Sequence, residues 1–108
     1  MLVAYLISLI VTIAIEVPIV AWFFKGQRLR MSLVCLVTTS VTHLAMHHLL
    51  PQFIETRIQW ILIGEAFALI FEAAAYTCVS RPRSFSRALM ASGLANMTSY
   101  AAGILVWP

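Results

Sequence analysis

The sequence predicts an all-α membrane protein, folded as an antiparallel four-helix transmembrane bundle, and three observations carry that prediction. The chain of 108 residues is 62% hydrophobic and only 10% charged. A soluble domain of this size keeps much of its surface in water and has nowhere to hide so much apolar side chain. Four apolar runs follow one another, each near the ~20 residues that cross a bilayer. The basic residues crowd into two of the three polar breaks between the runs.

The first span, 2–24, is apolar from its second residue. It has no basic n-region and no small-residue cleavage site, so it reads as a retained span and not as a signal peptide. It stops at Lys25-Gly26-Gln27-Arg28-Leu29-Arg30. The second span, 31–50, stops at Pro51, and the polar stretch from Gln52 to Arg57 leads into the third, 58–79. Ser80-Arg81-Pro82-Arg83-Ser84-Phe85-Ser86-Arg87 then breaks the chain before the fourth, 88–107. Connections this short force successive helices to run antiparallel. The expected organisation is a single transmembrane domain over 1–108.

Orientation follows from the loops. Lys25, Arg28, Arg30, Arg81, Arg83 and Arg87 lie in the first and third connections, and only Arg57 in the second. By the positive-inside rule the first and third connections are cytoplasmic and both termini lie on the other face. The net charge of +3 is thus a topology signal and does not point to nucleic acid. Arg81, Arg83 and Arg87 are placed to meet anionic lipid headgroups, and Trp22, Trp60 and Trp107 fall near span ends, as interfacial aromatics do. Cys35 and Cys78 make no disulfide framework.

The chemistry lies in the acids. Of the four, Glu16, Glu55, Glu65 and Glu72, only Glu55 is in a connection. A charged carboxylate at the bilayer centre costs about 2.5–3.5 kcal/mol even on the lenient insertion scale, so such residues face a bundle interior or a wet cavity. On the helical rise, Glu16, Glu72 and Asn96 sit roughly 12–14 Å from the cytoplasmic ends. His43 and Ser99 come out near mid-bilayer, and Glu65 with His47 nearer the outer face.

Faces agree with depths. Glu65 and Glu72 are one heptad apart on the third span, Thr39, His43 and His47 recur every four residues on the second, and Ser92, Asn96, Ser99 and Gly103 form a small polar stripe on the fourth. Glu16 has Thr12 on its face and Pro18 beyond it, which loosens the local backbone. A weak internal repeat pairs Thr39-Ser40-Val41-Thr42-His43 with Asn96-Met97-Thr98-Ser99-Tyr100, each ending eight residues before a proline. Two helical hairpins would then be parallel repeats about the membrane normal.

Two readings compete for this cluster. In one, Glu16, His43, Glu65 and Glu72 bind a cation, a divalent metal ion included, or relay protons, with Thr39, His47, Asn96, Ser99 and Tyr100 in support. In the other, the polar side chains only hydrogen-bond helices together, and the chain is an accessory or assembly subunit of a larger membrane complex. His43-Leu44-Ala45-Met46-His47-His48 resembles one histidine box of the membrane desaturases, but three histidines in total cannot supply their several boxes. With no phosphate loop, nucleophile elbow or HExxH motif, an enzyme is the weakest reading. So small a chain makes a thin wall for a permeation path, so a homo-oligomer or larger assembly embedded in lipid is expected.

Glu16 ahead of Pro18, Thr42-His43 followed by Pro51, Gly64-Glu65 with Glu72, and Asn96-x-x-Ser99-x-x-x-Gly103 together resemble the pattern of small four-span bacterial membrane proteins of uncharacterised function. The resemblance implies a bacterial cytoplasmic (inner) membrane and brings no activity, substrate or cofactor with it.

Overall fold

A computed structural model describes residues 2–106, with side chains as far as residue 103. Trp107 and Pro108, which figured in the interfacial and repeat readings, lie outside the described residues. The chain is helical throughout, with no strand among the described residues: α1 (Leu2–Phe23), α2 (Arg28–Leu44), α3 (Arg57–Val79) and α4 (Phe85–Val106). Three segments among these residues are long and apolar enough to cross a membrane: Leu2–Phe23, Lys25–Gln52 and Arg57–Val79. α4 is as long as α1, at 22 residues, but is not among them. Ser92, Asn96, Thr98 and Ser99 dilute its apolar content.

Helix boundaries follow local chemistry. α2 starts at Arg28, ahead of the expected residue 31, because one 3-10 turn, Lys25–Gln27, suffices to reverse the chain. Arg28, Leu29 and Arg30 are good helix formers and join the first turn. α4 starts at Phe85 and not at 88, because the Ser84 hydroxyl accepts the Arg87 backbone N–H at 3.2 Å, a cap for one of the unpaired N-terminal donors. Thr56 caps α3 in the same way through the Gln59 N–H at 3.3 Å.

The end of the second span is the least regular part. α2 widens into a π-turn, Ala45–Leu49, followed by a 3-10 turn, Leu50–Gln52. In the wide turn Leu50 gives its N–H to the Ala45 carbonyl, and Pro51, next in register, has no N–H to give. The Met46 carbonyl is left without a helical donor. The Trp60 indole supplies one from α3 at 2.6 Å.

Packing closes the helices into a ring: α1 against α2 and α4, and α3 against α2 and α4. The molecule measures 40 × 23 × 19 Å, and its long dimension is close to a bilayer of about 40–45 Å with headgroups. Leu2, Ile10, Ile58, Leu62, Ile70 and Met97 are exposed on the outside. An apolar exterior of this extent is compatible with an integral membrane protein. Inside, Ala88, Ala91, Ser92 and Ala95 of α4 have no exposed surface. Their 3- and 4-residue spacing gives α4 a smooth inner face that lets its neighbours approach closely.

The interior divides into two halves. At the end of the basic turns, Val20, Phe24, Met31, Cys35, Tyr76, Ala88, Ala91 and Ala95 form a sealed apolar core. The Gln27 side chain ties the two turns there, donating to the Arg81 carbonyl at 2.6 Å and accepting the Arg81 N–H at 2.7 Å. Beyond that core the interior becomes polar and opens into a cavity.

Candidate proton and cation site

Glu16 and Glu72 come from α1 and α3, which face each other across the ring, so their carboxyl groups meet on its axis. Both residues are 1% exposed. Thr39 Oγ1 donates to Glu16 Oε1 at 3.1 Å, and Ser99 Oγ donates to Glu16 Oε2 at 2.7 Å. On the other acid, Thr42 Oγ1 lies 3.3 Å from Oε2 and Tyr76 OH 3.2 Å from Oε1. The two carboxyl groups are neighbours at the centre of the bundle.

Each acid takes one hydroxyl from the opposite hairpin. Thr42 of the first hairpin reaches Glu72, and Ser99 of the second reaches Glu16. These two hydroxyls occupy matching positions in the weak repeat. The register fails one turn away, because Thr39 serves Glu16 whereas its counterpart Asn96 does not serve Glu72. Asn96, expected to orient the acids, donates its amide to the Ser92 carbonyl at 2.8 Å and Oγ at 3.2 Å.

Above the carboxyl pair is a cavity of about 210 Å³, with room for several waters or a small ion. Glu16, Thr39, Thr42, His43, Glu65 and Ser99 line it, while Glu72 does not. His43 is 8% exposed, and its Nε2 has no hydrogen-bond partner. The Tyr5 ring packs against it, with the two ring centroids 4.9 Å apart. His47 packs against His43 with tilted rings 4.3 Å apart and meets Trp60 edge-on at 5.5 Å, and is itself exposed at the mouth beside Arg57.

The remaining expected residues are placed as follows. Glu65 is half-buried on the cavity wall, and Tyr100, largely exposed, lies at its edge. Arg81, Arg83 and Arg87 are all exposed. Cys35 is buried with its sulfur 3.7 Å from Thr39 Oγ1, whereas Cys78 is exposed, so the thiols do not face a common site. Among the described residues no three His, Cys, Asp or Glu side chains are grouped so as to hold a metal ion. Glu16, His43, Glu65 and Glu72 therefore do not form one compact ligand set.

Tyr5, Ser8 and Arg57 were missed from the sequence. Tyr5, Ser8, Thr12 and Glu16 recur at intervals of three and four along α1, a polar stripe that helical periodicity makes visible. Arg57 carries no such signal, because it opens α3 from what reads as a connection. No protein-family model, curated protein or solved structure matches this chain.

Proposed function

We propose that the chain is a four-span antiparallel transmembrane bundle, built from two parallel-repeat hairpins, whose Glu16–Glu72 pair binds a cation or hands on protons. The observation that carries this reading is two neighbouring, fully buried carboxyl groups at the centre of an apolar bundle, with a cavity and an unpartnered imidazole nitrogen close by. A carboxyl pair that shares a proton can release it to a base or exchange it for another cation. His43 Nε2 is the base next in line toward the mouth. Matched hydroxyls from Thr42 and Ser99 support the repeat. The scattering of the acids and histidines favours protons or a monovalent cation over a divalent metal.

The second reading, an accessory subunit of a larger complex, is favoured by one specific observation: each of the four oxygens of the pair lies within hydrogen-bonding distance of one of the protein's own hydroxyls. Glue of this kind holds helices together at about 0.6 kcal/mol per bond.

Reconstitution into vesicles with a pH-sensitive dye separates the two. Proton-coupled function predicts a flux above that of empty vesicles, lost in Glu16→Gln and Glu72→Gln and reduced in His43→Ala, with helicity unchanged. Absence of wild-type flux, together with co-purification of a defined larger partner, would overturn it in favour of the accessory subunit. A bacterial inner membrane with both termini outside is the proposed setting, and cysteine labelling at the second connection tests the topology.

A further inference from the structure

A second space borders the cavity. Between α3 and α4 runs a groove of about 360 Å³, whose walls include Leu62, Leu69, Gly93 and Met97. Four residues, Ile61, Glu65, Asn96 and Tyr100, line both the groove and the inner cavity. They form the shared boundary, or window, between the interior and the gap between the two helices.

The chemistry of this window is selective. Glu65 is the one carboxyl on the groove, and its walls are otherwise mostly apolar. Asn96 spends its amide N–H groups on Ser92, which leaves its oxygen free to accept. Tyr100 adds a hydroxyl and a ring face, a suitable neighbour for a cation. Beyond the window, in the same cavity, is the buried His43 Nε2 without a partner. The mouth at the helix ends is the less favourable route for a cation, because Arg57 stands there.

We propose that the window and groove bind an amphipathic organic ammonium ion. Its N–H groups would be received by Glu65, the Asn96 oxygen and Tyr100, and its apolar chain would lie between α3 and α4. This deepens the cation reading and rests on it. A metal ion would leave the apolar groove empty, and an anion would meet Glu65. The groove's volume of about 360 Å³ has room for a short alkyl chain, and one carboxyl matches one positive charge.

The test uses the full chain in phosphatidylcholine nanodiscs, titrated with hexylammonium and with methylammonium against empty nanodiscs. The expected result is saturable hexylammonium binding, weakened about tenfold in Glu65→Gln, the worth of one charge-assisted hydrogen bond, and restored toward wild type in Glu65→Asp. Gly93→Leu fills the groove, and its first carbon would meet only Leu69 Cδ1 at 3.7 Å. It should weaken hexylammonium and leave methylammonium unchanged, and Met97→Trp serves if that variant does not fold. Equal binding of both amines, or a Gly93→Leu protein that binds hexylammonium normally, overturns the groove. Loss of hexylammonium binding when phosphatidylethanolamine replaces part of the lipid assigns the window to a headgroup and overturns the free amine. Absence of amine binding beside an intact proton flux removes this inference alone. Amine binding without flux removes proton relay and leaves the window standing.

Discussion

The two halves of the bundle are built on opposite principles. Near the basic turns, Val20, Phe24, Met31, Tyr76 and the α4 alanines fill the interior completely. Toward the other end, the same four helices enclose carboxyls, hydroxyls and an open cavity. Every helix contributes to both halves, so the division is one of depth and not of domains. The sealed half fixes where the helices stand, and the open half can then hold polar groups at positions that packing alone would not choose. In this scheme stability is concentrated at one end and chemistry at the other.

The largest expected effect tests the sealed half. Phe24 is 1% exposed and packs on Tyr76 with ring centroids 6.3 Å apart. Phe24→Ala should cost about 3 kcal/mol through the cavity it leaves, read from the midpoint of denaturant titration in mixed micelles. Tyr100→Ala, at the exposed rim of the open half, should cost less than about 0.5 kcal/mol. Similar losses for the two would show that stability is not divided by depth.

The next effect lies at the border between the halves. Glu72→Leu strands the Tyr76 hydroxyl without its acceptor, while Thr42 keeps the Thr39 carbonyl at 3.1 Å, and an unpaired buried polar group costs about 1–3 kcal/mol. Glu72→Gln keeps an amide oxygen there and should cost well under half as much. If Glu72→Leu proves the more stable of the two, the hydroxyls are not holding the helices through this acid. The same pair of proteins in the flux assay separates glue from function, because both variants remove the exchangeable proton.

The helix count was legible in the sequence, because apolar runs and basic turns are strong, local signals. The exact limits were not: Ser84 moves the start of α4 to Phe85, a cap that is obvious only once the helix is known. In the site, the candidacy of Glu16 and Glu72 follows from the cost of a carboxyl in an apolar run. Their nearness does not, since it depends on how α1 and α3 face each other across the ring. Thr42 was read only as part of a repeat, and the target it shares with Tyr76, Glu72, emerges only from packing. Asn96 shows the limit of face arguments, because it shares the inner stripe of α4 yet bonds within its own helix.

A smaller effect is expected where the open half closes at its rim. Trp60→Phe leaves the Met46 carbonyl without a donor and should cost about 1 kcal/mol, the net worth of one hydrogen bond. Pro51→Ala supplies an N–H at the next π-register position. In the double variant it should recover part of the loss, whereas Pro51→Ala alone, with the indole still in place, should change little. Amide exchange of residues 45–52 reads this directly, with faster exchange in Trp60→Phe and slower again in the double variant. Additive losses in the two single variants would mean that the proline and the indole act independently.

The smallest effect belongs to the outer edge of the sealed half. Gln27 pairs with the backbone of Arg81 through both ends of its amide, a two-bond clasp between the first and third connections. Both bonds are exposed, so water competes for each of them. Gln27→Ala should therefore cost no more than about 0.5–1 kcal/mol, and Gln27→Asn, one methylene too short, should cost nearly as much. If the sealed core alone sets the spacing of the turns, their separation, measured between spin labels at Gly26 and Arg83, should stay fixed in both variants. A widening of that separation would mean that the clasp, and not the buried core, registers one hairpin on the other, and the division of labour by depth would then have to include the loops.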